Sequence, residues 1–223
     1  MSWREPRIAY RHKSDFLSQQ FYLRILRWMK QCIGKNHQGM IALDVGCGEG
    51  YVVKLLNKMG YQAIGLDVSI IKRVRVKGID LVMADGAKLP YRSSSFDLIT
   101  CFETMEHVTE PECIVSEAHR VLREGGIFIL TTPLKSIIND IIDFIRGEKT
   151  HVSTMIVREL KEIMSKHFQK LYYKTLFIIP IPPTIFNRYF FLSLGFLKTH
   201  VWMFMMKKSV NDDIETRREN SLH

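Results

Sequence analysis

Between residues 40 and 133, short apolar runs alternate with stretches of helical periodicity, and this alternation restricts the fold more than any other feature. "MIALDVG" (40–46) is a compact apolar run ending at glycine, as a buried parallel strand would. "YVVKLLNKMG" (51–60) then sets Val52, Val53, Leu55, Leu56 and Met59 at helical spacing and stops at Gly60. "QAIGLDVS" (62–69) reads as a second strand, "IIKRVRVKG" (70–78) as a short basic helix and "IDLVMAD" (79–85) as a third strand. "FDLITCF" (96–102) is the fourth strand, "PECIVSEAHRVLREGG" (111–126) a helix with a glycine stop, and "IFILTTP" (127–133) a fifth strand closed by proline. Strand and helix at this rhythm predict an α/β, doubly wound parallel sheet covered on both faces.

Sheets of this kind bind ligands outside the carboxyl ends of their strands. Asp44, Asp67, Asp85 and Glu103 each close or follow an apolar run, so the topology predicts four carboxylates along one functional edge. The flanks follow other patterns. Residues 1–38 read as an amphipathic helical cap, 39–208 as the main domain and 209–223 as a polar tail. Beyond residue 134, "SIINDIIDFIRGEK" reads as a helix, and 153–168 as a clearer one with Ser153 or Thr154 as cap. Segments 170–179 and 200–208 read as two further strands. The apolar stretch 176–199 is broken by Pro180, Pro182, Pro183, Arg188 and Lys198, so it does not suit a membrane span. A lid, a greasy substrate wall, an interfacial hairpin at a membrane surface and ordinary core all fit it.

The net charge of +9 is unevenly spread. Residues 1–40 hold 8 Lys and Arg against 2 Asp and Glu, residues 41–134 hold 10 against 12, and the remainder 14 against 9. A basic rim at the two ends would attract phosphates, RNA or an anionic membrane, or serve only as a solvated surface. The start of the sequence is charged and lacks a signal-peptide apolar core. Cys32, Cys47, Cys101 and Cys113 show no zinc or disulfide spacing, so free thiols and a cytoplasmic protein are expected.

"LDVGCGEG" (43–50) joins the first strand to the first helix, with Gly46, Gly48 and Gly50 alternating. Glycines there let the backbone turn tightly and approach a ligand. The spacing is GxGxG rather than the GxGxxG of dinucleotide loops, and Asp44 would repel a pyrophosphate. A carboxylate suits a ligand with positive charge, such as the sulfonium and amino group of S-adenosylmethionine. In these motifs the chain resembles the class I S-adenosylmethionine-dependent methyltransferases. "LDVGCGEG", "GLDVS", "MADGAKLPYRSSSFDLITC" and "RVLREGGIFILTTP" match that family's motifs in order, over about residues 40–133. The resemblance implies a Rossmann-like, three-layer αβα fold with a seven-stranded sheet, mostly parallel with the last strand antiparallel. It implies S-adenosyl-L-methionine as cofactor, with Asp44, Gly46, Cys47, Gly48 and Gly50 at its methionine end. Asp67 and Val68 would lie at the ribose, Asp85 and Gly86 at the adenine, and Phe102 would wall the pocket.

"FETMEHV" (102–108) follows the fourth strand. Glu103, Glu106 and His107 would share one helical face at i, i+3, i+4. "ExxEH" is similar to the pattern in quinone-biosynthesis O-methyltransferases and small-RNA 2′-O-methyltransferases. That similarity implies a divalent metal (Mg, Mn or Zn) on Glu103, Glu106, His107 and His151. A metal-free base, with His107 and Glu103 catalytic, and a plain polar helix start fit the same residues. The expected activity is O-methylation of a small or lipophilic hydroxyl-bearing acceptor. RNA, and a non-catalytic partner-subunit role, stand as alternatives.

Overall fold

The computed structural model describes residues 22, 23, 25–27, 30, 37–69, 78–135, 155–179, 190–192 and 200–207. Among these, β1 (Ile41–Val45), α1 (Tyr51–Lys58), β2 (Gln62–Asp67), β3 (Asp80–Met83) and β4 (Phe96–Phe102) follow one another in the expected rhythm. Then come α2 (Pro111–Val121), β5 (Leu122–Pro133), α3 (Val157–Ser165), β6 (Phe168–Ile179), β7 (Phe190–Leu192) and β8 (His200–Lys207). The strands form one sheet in the order β3-β2-β1-β4-β5-β8-β6-β7. β1 to β5 are mutually parallel, and β8 runs antiparallel between β5 and β6. The anticipated seven strands are present, and the three-residue β7, antiparallel to the end of β6, is an addition.

The period of two in the strands explains the layers. Ala42, Leu98 and Ile129 pack with Val52, Val53 and Leu56 of α1 and with Ile25 and Leu26. Their chain neighbours Leu43, Ile99, Phe128 and Leu130 pack on the opposite face with Ile114, Val115 and Leu160 of α2 and α3. Burial on both faces is why these strands read as continuous apolar runs. The consequence for function is that all parallel strands end on one edge.

Several boundaries differ from the sequence reading. α2 stops at Val121 instead of running to the glycine pair, because Leu122 already pairs with Phe96, and Gly125 turns the chain at φ 68°. α3 begins at Val157, where the Glu159 carboxylate reaches back to accept from the Ile156 N–H at 3.1 Å. The expected caps Ser153 and Thr154, the helices at 70–77 and 136–149, and the tail 209–223 lie outside the described residues. So does most of the helical cap, although Tyr22, Leu23 and residues 25–27 are helical. Of the apolar segment 176–199, residues 176–179 continue β6 and 190–192 form β7. Among the described residues no helix is long and apolar enough to cross a membrane.

Candidate active site

The glycine turn after β1 is built from backbone conformations that side chains resist. Gly46, Gly48 and Gly50 have φ of 75°, 49° and 74°. Gly46 and Cys47 both donate to the Leu66 carbonyl, at 2.8 and 3.1 Å, which ties the turn to the end of β2. A Cβ on Gly46 would run into the Thr104 side chain, whereas one on Gly48 would meet nothing within 4 Å. The turn is therefore closed on its Gly46 side and open at Gly48. Asp67 borders that opening: its Oδ2 accepts from the Gly48 N–H at 2.9 Å and its Oδ1 from the Ser69 N–H at 3.0 Å. Each oxygen keeps a second lone pair for a ligand. Exposed Val68 and Met83, the latter in register with Asp67, add apolar surface beside it.

Asp44 lies inside the sheet edge, 2% exposed, and its Oδ1 accepts from Thr100 Oγ1 at 2.6 Å. Burial, with the charge of Asp67, pushes its carboxyl up to about 7 against the bond from Thr100. Burial likewise pushes the Cys47 and Cys101 thiols upward, so both are inert neutral groups; Cys113 is also free. The loop after β3 carries Asp85, exposed, whose Oδ1 accepts from Ala87 N–H at 2.9 Å, and Gly86, buried against Val45. α2 holds this loop. Glu117 accepts from the Leu89 N–H at 2.7 Å, and Arg120 donates to the Leu89 and Tyr91 carbonyls at 3.0 and 2.8 Å. Phe102 ends β4, buried, and stacks on Tyr22 with ring centroids 6.0–6.1 Å apart across the Tyr51–Tyr22–Phe102 group.

The segment after β4 corrects the sequence reading. Glu103 has a left-handed backbone (φ 50°), and only Met105–His107 are helical, as a single 3-10 turn. Glu103, Glu106 and His107 thus do not share an α-helical face. Glu106 is 1% exposed and accepts from Thr132 Oγ1 at 3.2 Å, while His107 Nε2 stands 3.8 Å from Glu106 Oε1. Burial and the neighbouring Glu103 hold the Glu106 carboxyl well above the usual range. Among the described residues no three His, Cys, Asp or Glu side chains are disposed to hold a cation, and His151 lies outside them.

The methyltransferase-domain family profile matches residues 43–130, from the glycine turn through β5. Over these residues the chain is similar to the class I S-adenosylmethionine-dependent methyltransferases. A "probable S-adenosylmethionine-dependent methyltransferase" of Mycolicibacterium smegmatis is 33% identical over 138 residues, covering 60% of this chain and 49% of that protein. The ubiquinone biosynthesis O-methyltransferase of Leptothrix cholodnii is 29% identical over 118 residues, covering 48% and 49% respectively. The chain thus spans about half the length of the curated relatives it matches. In fold, it is similar to a methyltransferase from Archaeoglobus fulgidus with a TM-score of 0.65 at 16% identity, over 85% of this chain and 94% of that one.

The cofactor named by these relatives, S-adenosylmethionine, fits what this edge offers. An open glycine turn lies beside carboxylates and apolar walls, a donor-poor, acidic setting for a cationic nucleoside. Thr100, Thr104, Thr132 and Met83 complete the edge and were not singled out in the sequence. Thr100 and Thr132 were findable in principle, since both sit in the last residues of strands whose ends carry the carboxylates.

Two consequences are measurable. Asp44 is protonated in the free protein up to about pH 7 but would ionise from 3.8 when unfolded. Between those values the native state binds the extra proton, so Asp44's stabilising contribution falls as pH rises through this window. A cationic cofactor favours the carboxylate, so binding should release a proton near pH 6. Cofactor affinity should rise toward pH 8, and Asp44→Asn should flatten the rise. Calorimetry in buffers of different ionisation enthalpy checks this; affinity independent of pH in the wild type contradicts it. Separately, Arg120→Ala should weaken cofactor binding by about tenfold through the loosened Asp85 loop, the effect of one or two lost hydrogen bonds. Unchanged affinity would make the Glu117–Arg120 clamp a purely structural feature.

Proposed function

We propose that this protein transfers a methyl group from S-adenosylmethionine to a hydroxyl oxygen of a small or lipophilic acceptor. The observation that carries the reading is the junction of Asp67 with the open Gly48 turn, 2.9 Å apart, on an edge that also bears Asp44 and Glu103. The names of the ubiquinone biosynthesis O-methyltransferases, at about 30% identity, support oxygen as the acceptor atom. When bound, the cofactor supplies a methyl group on a sulfonium centre.

The chain's own residues do the rest. Asp67 accepts from the ribose hydroxyls, Asp44 attracts the ammonium, and Asp85 with Gly86 borders the adenine. Phe102, backed by Tyr22, forms an apolar wall. His107, whose side chain is 30% exposed, faces the acceptor and takes the hydroxyl proton on its imidazole. Glu106 stands behind it, its carboxyl fixed by Thr132, and helps to position the imidazole. Glu103 holds a left-handed backbone at this same point, a cost of roughly 1–3 kcal/mol that functional edges commonly retain.

The reading predicts that His107→Ala lowers kcat by about 10²–10⁴-fold. The dissociation constant for S-adenosylhomocysteine should stay within about threefold of wild type, well under 1 kcal/mol. Methyl transfer from labelled cofactor to a prenylated catechol measures the first, calorimetry the second. Wild-type turnover in His107→Ala would remove the base from the mechanism. Transfer to RNA but to no catechol would reassign the acceptor.

A further inference from the structure

Away from the strand ends around Asp67, a half-open cavity of about 350 Å³ lies between α3 and strands β8 and β6, three and four positions along the sheet from β1. Met164, Phe168, Met203 and Met205 line its interior and are all buried. Lys161 and Tyr173 stand at its mouth, with the Lys161 ammonium 4.0 Å above the Tyr173 ring. None of the carboxylates or glycines of the cofactor edge contributes to it.

We propose that this cavity binds a fatty carboxylate, the chain inside and the head group against Lys161. Three thioethers and a phenyl ring make an adaptable apolar lining of the kind that accepts a flexible chain. The volume falls within the range of small-ligand sites, and its concave shape is unlike the roughly 800 Å² that one partner contributes to a protein interface. Charge selects the head group. Among the described residues Lys161 makes no ion pair; its ammonium rests on an aromatic face, where a carboxylate can reach it. Glu162, the acidic residue of the rim, lies 3.8 Å from Arg158, so its charge is partly offset. The lysine's methylene stem covers the apolar mouth while its head stays at the water boundary. The site is separate from the proposed methyl transfer and does not depend on it.

The test is a titration of protein labelled with [methyl-13C]methionine, using decanoate below its micellar concentration. Saturable shifts are expected at the methyl signals of Met164, Met203 and Met205. Decanol and decyltrimethylammonium should bind at least about tenfold more weakly, and Lys161→Gln should weaken decanoate by a similar factor. Ser165→Trp, a bulky group added at the exposed rim, should abolish the shifts while S-adenosylhomocysteine still binds as in the wild type. Silent methionine signals, equal affinity for decanol, or an unaltered Lys161→Gln variant would overturn the proposal. So would shifts that follow protein concentration without ligand, which would mean that a second copy of the chain covers the cavity.

Discussion

Asp67→Asn raises the dissociation constant for S-adenosylhomocysteine by about 10²–10³-fold, the equivalent of roughly 3–4 kcal/mol. The expectation follows from two roles held by one carboxylate. Its oxygens accept from Gly48 and Ser69 N–H at 2.9 and 3.0 Å, which shapes the open side of the turn. In the proposed function its remaining lone pairs would accept from a ribose diol, and hydrogen bonds to a charged group contribute roughly 1.5–3 kcal/mol each. An amide keeps one acceptor, but it removes the charge and presents an N–H₂ donor to the backbone donor of Gly48 or Ser69. Asp67 is partly exposed at the end of β2, so the protein should fold with little change in Tm. A large loss of affinity with near-normal stability is the signature. Affinity within threefold of wild type would mean that the ligand sits elsewhere.

Gly46→Ala has its largest effect on stability instead. At φ 75° an alanine pays roughly 1–2 kcal/mol for the left-handed backbone alone. Its Cβ would also collide with Thr104 Oγ1 and Cγ2, and overpacking of a filled site costs about 1–3 kcal/mol more. Thr104 cannot simply swing away, because its hydroxyl donates to the Phe102 carbonyl at 2.9 Å and supports the turn after β4. Denaturant unfolding should therefore register a loss of about 2–5 kcal/mol. Thr104→Ala placed in the Gly46→Ala background should recover part of it, leaving the backbone cost. Gly48→Ala provides the contrast. It meets open space in the free protein, so it should lose only the left-handed backbone cost at φ 49° yet obstruct the cofactor. If both alanine variants were equally stable, the distinction between the closed and open sides of the turn would be wrong.

The parallel core was readable because its signal is local. β1 and β4 are short and buried on both faces, so each stands out as an apolar run, and the run "FDLITCF" coincides with β4. The strand-end carboxylates were readable for the same reason: Asp44 and Asp67 lie at the ends of such runs. The segment 102–108 was misread because helical spacing of three polar residues says nothing about the backbone between them. The left-handed Glu103, whose N–H donates to the Thr131 carbonyl of β5, ends the strand without starting an α-helix. Likewise, the end of α2 depends on the long-range pair Phe96 with Leu122, which outweighs the local preference of "REGG" for a helix stop. Thr100 and Thr132 gain their roles only from neighbours 56 and 26 residues away, and short-range pattern cannot reveal such partners.

Calorimetric titration of the wild-type protein with S-adenosylmethionine, beside NAD as a comparison, bears on all of this. Saturable one-to-one binding of the sulfonium nucleoside, with none of the dinucleotide, is the predicted result. Absence of heat with S-adenosylmethionine and its demethylated product, in protein shown to be folded, would contradict the assignment of the edge around Asp67 as a cofactor site.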